Sequence, residues 1–184
     1  MMHRIIRPIR PKEHEDALVL LQTVFTEYDC AREGLAVRRL AEEIRRKRFY
    51  LPELELVAVS DSGELLGYAM FSRFHLEGRY EDRLLMLTPV AVRTDVQRQH
   101  ISKELLEYGF DQARRMGYDA VIVEGAPANY RARGFVTSEE HGILRGKTVA
   151  CPPQCLMVKE LRPGALSSIH GTVEYTDYDS ITHA

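Results

Sequence analysis

An α/β fold of the α+β kind is predicted for this chain, from three observations. Residues 84–92 form a nearly continuous apolar run of strand length, which after a short polar turn gives way to an amphipathic helix over 101–116. Two further apolar runs, 54–59 and 64–74, flank Asp61-Ser62-Gly63, which is a hairpin signal. Residues 119–124 then supply another buried strand. With 184 residues, 45% hydrophobic and 28% charged, the chain suits one globular domain large enough to bury most of its apolar surface.

Residues 3–9 read as a first strand, placed near a sheet edge by Pro8, which cannot donate to a ladder. Pro11 opens a helix, with Glu13, Glu15 and Asp16 in its early turns and Ala17, Leu18, Leu20, Leu21, Val24 and Phe25 on the buried face. A loop is expected over 28–34, and a second helix over 37–48 burying Leu40 and Ile44, with Val37 and Ala41. After the hairpin, in which Gly67 marks a bend or a close contact, residues 75–83 form a polar connection.

Pro89 interrupts the central run, so this strand should bulge or part from a neighbour there and free backbone groups for another partner. The helix that follows places Ile101, Leu105, Leu106, Gly109, Phe110 and Ala113 on one face, and Gly117 closes it. Its start carries N–H groups without intrahelical partners and the positive end of the helix dipole, where a phosphate fits. Residues 155–161 read as a closing strand, and 176–184 as a loose polar end.

The succession of strand, two helices, three strands, helix and strand resembles the GNAT superfamily of acetyl-CoA-dependent N-acetyltransferases. The loop Gln97-Arg98-Gln99-His100-Ile101-Ser102 corresponds to that superfamily's pyrophosphate loop, Q/R-x-x-G-x-G/A. His100 stands at its first glycine position and Ser102 at its Gly/Ala position. With helical dihedrals, His100 would direct its ring sideways, within reach of a phosphate. Residues 125–135 keep Gly125, Pro127, Tyr130, Gly134 and Phe135 of a pattern in the bacterial YhbS-like branch of the superfamily, G-D-P-x-Y-Y-x-x-x-G-F, with Ala126 for its Asp and Asn129 for its first Tyr. The likeness extends over residues 162–175. It implies a mixed, mostly antiparallel central sheet of about six to seven strands flanked by helices, with splayed central strands, an acetyltransferase domain at 1–161 and a C-terminal extension at 162–184.

The resemblance also implies acetyl-CoA as cosubstrate, with Val90, Ala91 and Val92 against its pantetheine arm and Gln97, Arg98, Gln99, His100, Ile101, Ser102 and Asn129 completing its site. The reaction, acyl transfer to a primary amine of a small molecule or peptide, needs a neutral amine and a proton for the departing thiolate. Tyr130 sits where family members keep a tyrosine near the sulfur, and a phenol is suited to give that proton. Glu124 and His75 are the candidate bases, alongside Glu77, and loops 28–34 and 75–83 are expected to choose the acceptor. A different class of reading keeps the fold as a CoA-sensing or protein-binding module, with His100, Ser102 and Ala126 marking relaxed constraint.

Lys plus Arg number 25 against 27 Asp plus Glu, so there is no basic field of the kind nucleic-acid binders carry. No stretch approaches a membrane span and no signal-peptide core precedes the first strand, so a cytoplasmic protein is expected. Oligomeric state is left open by the sequence, the tail after Leu161 being the segment that could pack across a partner subunit in a homodimer. Three cysteines, Cys30, Cys151 and Cys155, argue against a disulfide framework. Cys151 and Cys155 with His141 lack an evident fourth ligand, so no metal site is expected.

Overall fold

The computed structural model describes residues 3–182; Met1, Met2, His183 and Ala184 lie outside it. In chain order its elements are β1 (Arg4–Pro8), α1 (His14–Tyr28), α2 (Ala31–Arg45), β2 (Glu55–Ser60), β3 (Leu65–Arg73), β4 (Leu84–Val92), α3 (Ile101–Arg115), β5 (Ala120–Glu124), α4 (Pro127–Tyr130), β6 (Val136–Thr137), β7 (Ile143–Arg145), β8 (Leu156–Glu160), β9 (Gly171–Val173) and α5 (Asp179–Thr182). Seven strands form one sheet in the order β1-β2-β3-β4-β5-β8-β6. Its neighbours are antiparallel except β4 and β5, which run parallel. The first strand is at the edge, as Pro8 requires, and β7 pairs with β9 in a separate parallel ribbon.

The sheet buries both faces. Leu84 and Met86 pack with α1, α2 and the tail residues Leu166, Ile169, Val173, Tyr175 and Tyr178. Leu85 and Leu87, pointing the other way, pack with the apolar face of α3. Each such buried leucine contributes roughly 2 kcal/mol. Two glycines bring α3 unusually near: a Cβ on Gly109 would lie 2.2 Å from the Phe71 ring, and one on Gly67 2.9 Å from Ile101. That fit sets the start of α3 beside the end of β4.

Two expectations are corrected. Helix α2 begins at Ala31, so most of the loop predicted over 28–34 is helical and the helix stops at Arg45 rather than Arg48. Gly34, placed at the end of that expected loop, is where α2 crosses α1: a Cβ there would lie 2.1 Å from Thr26 Oγ1. The polar end predicted from Thr176 is not loose over its described part. Tyr178 is 1% exposed, and the Asp179 and Ser180 amides each donate a 2.9 Å hydrogen bond to the Glu43 carboxylate. No helix among the described residues is long and apolar enough to cross a membrane.

Candidate active site

The central strand behaves as its proline dictates. Its pairing with β3 shifts register between Ala69 and Phe71, and its pairing with β5 ends at Met86, opposite Ile122. Burial changes with it: Leu84 to Leu87 are buried on both faces, whereas Thr88, Val90 and Val92 are only partly covered. From Leu87 onward the strands have separated, and two cavities occupy the wedge between them.

The first, of about 520 Å³, is bounded by Val90, Ala91, Val92, Gln97, Arg98, His100, Ile101, Ser102, Leu106, Asn129, Tyr130 and Arg133. Nine of the ten positions assigned above to a cofactor line it. Gln99 does not; its carbonyl accepts a 2.5 Å hydrogen bond from Arg4, whose guanidinium also grips Glu104 on α3. His100 precedes the helix with φ 64° and ψ 13° and makes no side-chain cap. The condition of helical dihedrals is therefore not met: the residue is left-handed, the conformation glycine takes at no steric cost. Arg98 has φ 63°, so the loop holds two strained residues, at roughly 1–3 kcal/mol each. The result is an uncapped helix start whose amides face open space, an arrangement that can bind an anion.

Arg133 was not singled out by sequence reasoning, although it directly precedes Gly134. It donates to Ser102 Oγ at 3.0 Å and to the Asn129 carbonyl, tying α3 to α4, and its buried Nε has no partner among the described residues. It places a fixed cation at the cavity wall.

The second cavity, of about 690 Å³, shares Val90, Ala91, Val92, Gln97, Asn129 and Tyr130 with the first, so the two join across β4. Tyr130 stands at the junction. Its ring packs edge-on against Phe135, with centroids 5.5 Å apart, and lies so close to the backbone that a Cβ on Gly125 would be 2.6 Å from it. Burial raises the phenol above its ordinary value, with Arg133 pulling the other way. Its hydroxyl makes no hydrogen bond among the described residues.

Glu124 also lines the second cavity. Its carboxylate accepts a 2.9 Å hydrogen bond from Tyr175, a buried residue of the C-terminal extension. The Tyr175 phenol is held well up by burial and then by the Glu124 charge, and the Cys151 thiol, for the same two reasons, is pushed up to about 12. His75 is not brought to either cavity. Its Nδ1 accepts the Gly78 amide at 2.9 Å and its Nε2 meets Asp177 at 2.7 Å, so both ring nitrogens are engaged elsewhere. The connection 75–83, expected to shape an acceptor site, lines neither cavity; Tyr28 and Glu33 from the other expected loop do.

The profile of the acetyltransferase (GNAT) family matches residues 20–142 of the chain. The chain is 31% identical over 147 residues to the uncharacterized N-acetyltransferase YhbS of Escherichia coli strain K12, covering 79% of this chain and 84% of that protein. The solved structure of Escherichia coli YhbS in complex with CoA superposes with a TM-score of 0.85 at 26% identity, covering 98% of this chain and 92% of that one. A GNAT acetyltransferase of Brucella melitensis, solved with acetyl-CoA, has the same fold, with a TM-score of 0.70 at 24% identity over 95% of this chain and 97% of that one.

Proposed function

The chain belongs to the acetyltransferase (GNAT) family, and from that premise we propose that it transfers the acetyl group of acetyl-CoA to a primary amine of a small molecule or peptide, with the reaction centred on the junction of the two cavities. It is an acyltransferase that uses acetyl-CoA. The observation that carries the finer reading is the separation of β4 from β5 after Met86, which leaves a helix start and a strand edge at one end of the wedge and a carboxylate at the other.

The residues present suit such a cosubstrate. The uncapped start of α3, Ser102 and the Arg133 guanidinium offer N–H donors and positive charge to a diphosphate, and the β5-facing backbone of Val90, Ala91 and Val92 offers strand-like pairing to an amide-bearing arm. His100 does not plug the cavity, which stays open with the ring at its wall. Room for the cosubstrate suits the enzyme and a CoA-sensing module alike; Tyr130 and Glu124, both lining the adjoining cavity, are what favour the enzyme.

The thioester, when bound, supplies an activated acetyl group. For the chain's own part, the Tyr130 hydroxyl holds a proton for the departing sulfur, and the rise in its pKa keeps it protonated across the working pH range. The Glu124 carboxylate, oriented by Tyr175, takes a proton from the incoming ammonium, directly or through water. Tyr130 is partly buried against Phe135, whereas Glu124 is exposed at the end of β5 and open to water, which can relay the proton.

The test is thiol release from acetyl-CoA across an amine panel, together with the melting temperature of the protein with and without CoA. A cofactor at one hundred times its Kd stabilises by about 2.7 kcal/mol, so a clear rise is expected. No rise at millimolar CoA together with no thiol release would overturn this reading.

A further inference from the structure

We propose that the acceptor is an amine with an apolar body and no carboxylate, selected by Glu33 and Glu124; this rests on the second cavity being the acceptor site. Three features of that cavity carry it.

The first is charge. Among the described residues its walls hold no lysine, arginine or histidine, and the only carboxyls there are Glu33 and Glu124. Neither is neutralised by a neighbour. Glu33, on the first turn of α2, has no hydrogen bond or ion pair among the described residues. Glu124 receives only neutral donors, the Tyr175 hydroxyl and the Cys151 thiol. A bound carboxylate would meet two like charges and no cation, whereas an ammonium meets two unpaired partners.

The second is the lining between the two carboxylates. Phe25, Val37, Leu40 and Met86 present apolar surface, and Tyr28, at 86% exposure, holds an aromatic ring at the rim. Such walls reward an apolar body, and an aromatic face at the rim attracts a cation. The third is rigidity. Tyr175 and Ile181 close the cavity from the extension, and that segment is fastened to α2 through Glu43, so the wall is part of the fold rather than a mobile flap.

The experiment compares amines that differ only by a carboxylate: phenethylamine against phenylalanine, and hexylamine against norleucine. The expected result is a kcat/KM on the order of a hundredfold higher for the amine of each pair, the cost of setting like charges side by side. Glu33→Gln should raise the KM for phenethylamine with kcat nearly unchanged, and Glu33→Arg should narrow or invert the preference. Equal use of both members, or preferential acetylation of a peptide N-terminus, overturns the inference while leaving acetyl transfer intact. If no member is turned over, binding decides: phenethylamine and not phenylalanine should raise the melting temperature of the CoA-saturated protein, and an equal or absent effect overturns the inference.

Discussion

Arg4 and Glu104 stand one hundred residues apart in sequence, and the Arg4 Nε donates to the Glu104 carboxylate at 2.8 Å while its other arm reaches the Gln99 carbonyl. The edge strand thereby fixes the loop from which the first cavity is made. Arg4→Met removes both contacts and should loosen coenzyme binding by roughly tenfold, the equivalent of one charge-assisted hydrogen bond. Calorimetric titration of CoA into the variant checks this, and a kcat close to the parent value is expected at saturating acetyl-CoA.

Replacing His100 by glycine separates the backbone of that position from its ring. Glycine adopts φ 64° freely, so the loop geometry survives and His100→Gly should not destabilise the apo protein. If the ring donates to phosphate, affinity for CoA falls by about three- to tenfold. Tighter binding would instead identify the ring as an obstruction.

Tyr130→Phe should lower kcat by roughly a hundredfold or more, with CoA affinity preserved. The pH profile carries a second signature. Because burial raises the phenol, the protonated, active form persists beyond the ordinary tyrosine range, and the alkaline limb assigned to this group should lie above about pH 10. An unchanged turnover in the phenylalanine variant removes Tyr130 from the reaction.

Gly125→Ala tests how that tyrosine is positioned. The added methyl would sit 2.6 Å from the Tyr130 ring, so the ring must move, at about 1–3 kcal/mol of stability. Turnover should fall more than CoA binding does, as read by parallel urea melts, titrations and kcat measurements.

Glu43→Ala removes the carboxylate that holds the amides of Asp179 and Ser180, and should cost about 1–2 kcal/mol at neutral pH. Burial works to raise this carboxyl, but hydrogen bonds from Ser180, Lys47 and Asp179 outweigh it and hold it at about 2. The folded value lies below that of a free glutamate, about 4.3, so the contribution is fully present above that range and fades as pH falls through about 2. Denaturant melts of parent and variant should therefore converge as the solution is acidified.

Much of the architecture could be read locally. Pro89 inside an apolar run marked where β4 leaves its neighbours, Gly67 marked the close approach of α3, and Gly134 with Phe135 marked the end of the short helix and its plug into the core. What escaped has no local trace. Gly34 sits inside a helix because two helices cross there, a relationship that a one-dimensional breaker rule cannot distinguish from a loop. Fully buried Glu55 is satisfied by Arg45, Tyr50 and Tyr68, residues whose convergence only the folded sheet creates. In the candidate site, nine residues that line the first cavity are assigned through the resemblance of the loop, the central strand and the segment after β5. Arg4, Arg133 and the bond between Tyr175 and Glu124 are not, since each joins segments that no periodicity links.

The anchoring of α5 by Glu43 bears on how the molecule is handled. With Ile181 in the wall of the second cavity, an affinity tag or reporter fused close behind α5 would be tethered within a few residues of that wall. Assays run on such fusions risk measuring the appendage.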